Sequence, residues 1–226
     1  MSLAGGGGPG VRVADVWAAL PVKGFAGAKQ RLGPALTAAQ RRALAAAMLE
    51  DVLEALGAAS LAGILVNTED PEAAALARAR GAEVMAEDAA IGHTGAVAAM
   101  ARRLAAAGRS AMLVLPGDIP RITAAEIAAL CAAAGPRPSF TIAPARDERG
   151  SNAVLLAPPG AVSLRFGDDS FFPHLDAARR AGIEPRVVAL PGVGLDIDTP
   201  DDLLVLRQAA VDRPGRTGRL LASFDR

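Results

Sequence analysis

Apolar positions along this chain follow two alternating rhythms. Short, nearly unbroken apolar runs, such as "VWAALPV" (16–22) and "AGILVNT" (62–68), read as strands. Between them lie longer stretches in which apolar residues recur every three or four positions, the spacing of one helix face. In 37–57, Leu44, Met48, Val52 and Leu56 recur every four residues. Thr37 with Gln40 forms a capping box at its start, and Gly57 is expected to stop it. Asp70-Pro71-Glu72 opens another helix with proline at its first position. "AEVMAE" predicts a short strand, 94–107 a helix, and "SAMLVLPGDIP" (110–120) an apolar strand that breaks into a loop. Thr123 and Glu126 cap the next helix. "SFTIAPA" and "NAVLLAP" are two further strands around the polar turn "RDERGS".

Strand, helix, strand, helix predicts an α/β fold, a three-layer α/β/α sandwich around a mostly parallel sheet. Continuous apolar strands fit burial on both faces. After residue 138 the rhythm is less regular and admits an antiparallel strand. A single domain is expected over residues 11–212. Residues 1–10, "MSLAGGGGPG", read as a flexible leader without signal-peptide features, and residues 213–226 as a C-terminal tail. Ligands of such sheets sit beyond the carboxyl ends of the strands. The chemistry is therefore expected just after residues 21, 115 and 195.

Bulk composition narrows the partners. The formal net charge is zero, so no global field draws nucleic acid or an anionic membrane. Tyrosine is absent and there is one Trp, which argues against base-stacking platforms. No apolar run is long enough for a bilayer span. The one cysteine, Cys131, predicts a cytoplasmic protein without an internal disulfide and reads as a small buried helix residue. Apolar helix faces allow a homodimer.

Three strand ends turn charged. In "LPVKGFAGAKQRL" (20–32), Lys23, Lys29 and Arg31 surround small residues, a pattern that suits phosphate oxygens or a solvated basic loop. Neither a P-loop nor G-x-G-x-x-G is present. In "VLPGDIPRIT", Asp118 follows a buried strand and is held between Pro116 and Pro120. In "LDIDTPDDL" (195–203), four aspartates divide into two jobs. Thr199, Pro200, Asp201 and Asp202 suit a helix start. Asp196 and Asp198, two apart in an extended segment, project to one side, with Leu195 and Ile197 toward the core. Paired carboxylates of this kind suit a hard cation such as Mg²⁺. His93 and His174 belong to no metal-binding cluster, so zinc is not expected.

Taken together, "PVKGFAGAKQRL", "VLPGDIP", "IAPARDERGSNAVLL", "FGDDSFFPH" and "LDIDTPDDL" resemble the 2-phospho-L-lactate and phosphoenolpyruvate guanylyltransferases of coenzyme F(420) biosynthesis, over about residues 16–210. The resemblance implies a nucleotide-diphospho-sugar transferase-like (Rossmann-like) fold and Mg²⁺-dependent transfer of GMP from GTP to a small phospho-acid. The candidate acids are 2-phospho-L-lactate, phosphoenolpyruvate and 3-phosphoglycerate. It assigns Asp118, Asp196 and Asp198 to one or two metal ions and to catalysis, and Lys23 to catalysis and the substrate. Ser151, Asn152, Gly167 and Ser170 fall on the acceptor site, and Lys29, Arg31, His93 and Thr94 on the nucleotide. Asp168 stands where the family's loop usually has proline, and "GHTGAV" departs from its G-L-N-x-A pattern.

The expected step is in-line attack by an acceptor phosphate oxygen, already anionic, on the α-phosphorus of GTP. Two other readings are open. One is a different nucleotidyltransferase of this fold, of molybdopterin or sugar-phosphate type. The other is a non-catalytic nucleotide-binding regulator.

Overall fold

The computed structural model describes residues 10–86, 92–167, 169–209, 212 and 214–224. The leader, apart from Gly10, and Asp168 thus lie outside the described residues. Seven strands form one sheet: β1 (Val16–Pro21), β2 (Gly63–Asn67), β3 (Glu83–Met85), β4 (Ala111–Val114), β5 (Ser139–Pro144), β6 (Ser151–Ala157) and β7 (Arg186–Val187). Their spatial order is β3-β2-β1-β4-β6-β5-β7. Every neighbouring pair is parallel except those made by β6, which runs against both β4 and β5. The irregular rhythm after residue 138 is this one reversed strand. Its start, Ser151, therefore lies at the edge where its neighbours end.

Alternation along β1 separates two cores. Val16, Ala18 and Leu20 face one layer, with α1 (Ala38–Ala58), α2 (Pro71–Ala79) and α4 (Ala124–Ala133). Trp17 and Ala19 face the other, with α3 (Gly92–Ala106) and α5 (Phe171–Arg180). The sheet is thus covered on both sides, as its continuous apolar strands require. Leu44, Met48, Val52 and Leu56 are all buried along α1, as their spacing predicts. Each such side chain contributes roughly 1.5–3 kcal/mol by leaving water. Cys131 is buried in α4, where desolvation pushes its thiol up to about 11.

Local signals place most boundaries correctly. Thr37 and Thr123 each complete a capping box, and Asp70 caps α2. Gly57 does not end α1, which continues to Ala58 before Ser60 takes a left-handed φ of 55°. Gly57 is exposed on the helix, where its missing side chain costs helix propensity without forcing a turn.

The chain closes with α6 (Pro191–Gly194), α7 (Pro200–Ala209) and α8 (Gly215–Ser223). Residues 213–226, expected as a tail, supply α8, which packs on α1 and buries Leu221 beside Leu44 and Met48. Asp51 of α1 accepts the backbone N–H groups of Arg216 and Thr217 at 2.8 and 2.9 Å, capping α8 from outside. Among the described residues, no helix is long and apolar enough to cross a membrane.

Candidate active site

The segment after β1 crosses the carboxyl edge of the sheet in two 3-10 turns, Phe25–Gly27 and Gln30–Leu32. Buried Phe25 and Leu32 pin it from below. Its backbone is tied to the end of β2 through Phe25 N–H, which donates to Asp70 Oδ2 at 2.7 Å. Between the turns Lys29 adopts a left-handed conformation, φ 56° and ψ 43°, uncommon for a residue with a side chain. That backbone directs the lysine inward. Its side chain is only 9% exposed, and Nζ donates to Asp118 Oδ2 at 2.5 Å and Asp198 Oδ1 at 2.7 Å.

Asp118 sits just past β4 and is tied to the aspartate segment through its carbonyl, which accepts from Ile197 N–H at 3.1 Å. Leu195 and Ile197 are buried, so Asp196 and Asp198 turn together toward the cleft, as the two-residue spacing predicts. Arg31 pairs with the second Asp198 oxygen. Asn152 Nδ2 donates to Asp196 Oδ1 and to the Val193 carbonyl, both at 3.0 Å, locking α6 to the start of β6. Gly192 lets α6 also approach the segment that leads into α4: a Cβ there would lie 2.4 Å from the Arg121 carbonyl oxygen.

Opposing forces act on these ionisable groups. Burial pushes the Asp196 carboxyl up, and repulsion from Asp118 and Asp198 adds to the rise against the Asn152 bond. Burial also acts to raise Asp198, but Lys29 and Arg31 outweigh it and hold that carboxyl below its usual range. Burial would lower Lys29, yet Asp118 and Asp198 raise it. Asp118 Oδ1 is buried without a hydrogen-bond partner among the described residues. Among the described residues no three carboxylate, histidine or cysteine side chains are already arranged around a common ion position. The Lys29 ammonium occupies the space between two of the three expected aspartates.

The other half of Asp198-Thr199-Pro200-Asp201-Asp202 is a capping device. Thr199 Oγ1 accepts from Asp202 N–H at 3.3 Å, while Asp202 Oδ2 accepts from Thr199 N–H at 2.9 Å. Asp202 also pairs with Arg146 at 2.8 Å.

Two cavities meet at this centre. One, about 450 Å³, lies under the loop after β1 and reaches Met48 and Leu49 of α1. The other, about 860 Å³, extends over Ser151, Asn152, Gly167, Ser170 and Asp196. Lys23, Arg31, His93, Asp118 and Asp198 line both. Lys23 is exposed at the mouth, with no hydrogen bond or ion pair to another described residue. His93 stacks edge-on with Phe166 at 4.7 Å between centroids, and burial, followed by the Lys23 charge, lowers its pKa.

Thr94 lines neither cavity. Its Oγ1 accepts from Phe166 N–H at 3.0 Å and so holds the loop before Gly167. Asp169, next along that loop, pairs with Arg149 at 2.8 Å.

A polar cluster that motif reading passed over lies behind Ser151. His174, only 1% exposed, sits 2.9 Å by Nδ1 from Ser151 Oγ, and its Nε2 accepts from Arg165 N–H at 3.0 Å. Ser170 Oγ donates to Ser151 Oγ at 3.2 Å. The available signal was spacing: Ser170 and His174 are four apart, hence on one face of α5.

The chain matches the family model "Guanylyl transferase CofC like" over residues 16–210. It is 42% identical over 189 residues to the phosphoenolpyruvate guanylyltransferase of Rubrobacter xylanophilus, covering 84% of this chain and 92% of that one. The protein of the same name from Conexibacter woesei is 39% identical, with 89% and 91% covered. In fold it is similar to a Desulfovibrio desulfuricans G20 protein assigned as a nucleotide-diphospho-sugar transferase, with TM-score 0.76, 19% identity, and 94% and 96% covered. A cytidylyltransferase from Leptospira borgpetersenii gives TM-score 0.60 at 13% identity, with 93% and 94% covered. These likenesses match the nucleotide-diphospho-sugar transferase-like fold that the motifs implied. With its strand-end motifs on one cleft and the family match spanning its sheet, the chain belongs to the CofC-like guanylyl transferases and is a nucleotidyltransferase.

Proposed function

We propose that this enzyme transfers GMP from GTP to phosphoenolpyruvate, or to a closely related phospho-acid, in coenzyme F(420) biosynthesis. The observation that carries the reading is the two-lobed cleft: one cavity under the basic loop after β1, and one lined by Arg146, Arg149, Ser151 and Asn152, which meet at Arg31, Asp118 and Asp198 beside the Lys29 ammonium. A reaction that joins two polyanions needs two such lobes and a charge-balanced junction. The relatives' activity on phosphoenolpyruvate supports that acceptor first.

GTP fits the lobe under the loop after β1, where Lys23, Lys29 and Arg31 offset triphosphate charge. The acceptor fits the lobe over Ser151, Asn152, Gly167 and Ser170. An acceptor phosphate oxygen attacks the α-phosphorus in line. The new phosphorus–oxygen bond forms as the bond to the β-phosphate breaks, and pyrophosphate leaves with that electron pair. The nucleophile is already anionic, so no side chain has to take a proton. Positioning and electrostatic stabilisation supply most of the rate.

The donor set fits a divalent cation of the Mg²⁺ type. Asp118 Oδ1 is unpartnered, and Asp196 is raised partly by its acidic neighbours. Asp118, Asp196 and Asp198 would hold it, and it would offset charge on the reacting oxygens. With the ion bound, Lys29 would be free to pair with a phosphate oxygen in place of a carboxylate, keeping its positive charge in the junction.

Mass spectrometry of products from enzyme, GTP, Mg²⁺ and phosphoenolpyruvate, 2-phospho-L-lactate or 3-phosphoglycerate tests the reading. A guanylylated acid with stoichiometric pyrophosphate is expected. GTP binding without any such product would instead support a nucleotide-binding regulator.

A further inference from the structure

Hydrogen-bond counting around Ser151 leaves few arrangements. A backbone N–H can only donate, so Arg165 N–H fixes His174 Nε2 as the acceptor. A neutral imidazole that accepts at Nε2 carries its proton on Nδ1. That Nδ1–H donates to Ser151 Oγ, 2.9 Å away. Ser170 Oγ–H donates to the same oxygen at 3.2 Å. A serine hydroxyl has two acceptor lone pairs, and both are then engaged. With Ser170 as the donor of that hydroxyl pair, the Ser151 proton points elsewhere, and Ser151 lines the larger lobe of the cleft together with Ser170.

We infer that His174 is a positioning residue that sets the Ser151 hydroxyl as a donor into the cleft, where it recognises an anionic oxygen of the acceptor acid. The histidine is nearly inaccessible and does not line the lobe; it acts through Ser151. Burial, with Phe166 edge-on at 4.9 Å, keeps the ring neutral, its pKa pushed down to about 4. The subsite therefore stays a donor throughout the neutral range, and it discriminates against a ligand that offers another donor there. The identity of the ligand rests on the guanylyltransfer reading; the direction of the hydroxyl rests on the hydrogen bonds alone.

Two measurements separate these. Long-range ¹H–¹⁵N correlation on the full chain reads the tautomer directly. Only two histidines are present, so His174→Gln assigns the signals. An Nδ1–H ring with a bare Nε2 is expected near neutral pH; an Nε2–H ring overturns the inference. Kinetics with GTP and phosphoenolpyruvate then test the consequence. His174→Phe should raise the phosphoenolpyruvate KM about tenfold, the scale for losing one hydrogen bond to a charged group. The GTP KM should stay within about twofold, which general loosening of the fold would not produce. His174→Gln, with a donor and an acceptor across one carbon as in the ring, should recover most of the loss. Should His174→Phe not fold, Ser151→Ala must show the same split. Equal changes in both KM values, or no change, overturn the inference. Failure of the wild-type enzyme to guanylylate any phospho-acid would overturn the reaction reading, with the tautomer still deciding the hydroxyl.

Discussion

Under the loop after β1, an ammonium and a guanidinium meet two carboxylates; at the start of β6, an imidazole and two hydroxyls meet without a net charge between them. The two clusters adjoin one cleft, yet they handle buried polarity by opposite means. The first cancels charge with charge. The second fixes proton positions, and its direction depends on one backbone N–H. A charged junction tolerates changing ligands because its cations can exchange partners. A neutral relay selects, because its donors and acceptors cannot be reassigned cheaply.

Substitutions on the two sides should therefore differ in kind as well as in size. The largest effect is expected from Asp196→Ala, in the larger lobe beside the junction: turnover should fall at least ~100-fold, the scale for losing one stabilising group at a reacting centre. Near-normal pyrophosphate release by that variant would dissolve the junction as we describe it. Next, Lys29→Met leaves Asp118 and Asp198 facing each other without their cation. Ligand-free stability should drop by about 2 kcal/mol, measured by chemical denaturation. The pKa of Lys29 is raised in the folded state, so its contribution is complete below the ordinary lysine value of 10.5 and fades as pH climbs through the raised one. The gap between wild type and Lys29→Met should accordingly close in strong base.

The neutral side should show the reverse response, to acid. His174 has a folded pKa of about 4 against 6.5 for a free ring, so between those values the unfolded chain binds the extra proton. Folding stability must then fall as pH drops below 6.5, by about 2 kcal/mol from this group at pH 5. His174→Gln removes that slope; an unchanged melting profile between pH 7 and 5 in the two proteins would show that the ring is not held neutral. The smallest effect belongs to the capping device beside both lobes. Thr199→Ala should lower stability by about 1 kcal/mol, the usual cost of an N-cap, visible as a modest fall in Tm.

The charged lobe was legible in the sequence, the neutral one only in part. Asp118, Asp196 and Asp198 stand at strand ends, and strand-end logic with two-residue alternation was enough to bring them together. Lys29 was legible as a cation but not as a buried one, because its left-handed backbone leaves no trace in a lysine codon position otherwise rich in small residues. Ser151 and Asn152 came from motif likeness, whereas their support did not. His174 packs behind Ser151 only because β6 and α5 approach in three dimensions, and Thr94 reaches Phe166 across 72 residues. Spacing reads contacts within one element well and contacts between elements hardly at all. Gly57 shows the same limit from the other side, since the end of α1 is set by where the chain must turn toward β2.

The reversal of β6 also separates the molecule's chemistry along the gene. In the proposed reading, the nucleotide side is encoded mainly by one continuous loop, the one after β1. The proposed acceptor side lies by the hairpin between β5 and β6, whose turn, residues 145–150, lines the larger cavity through Arg146, Asp147 and Arg149. Hairpin turns accept insertions and substitutions with little effect on the strands they join. In the proposed reading, editing that six-residue turn would alter the acceptor side and leave the loop after β1 unchanged.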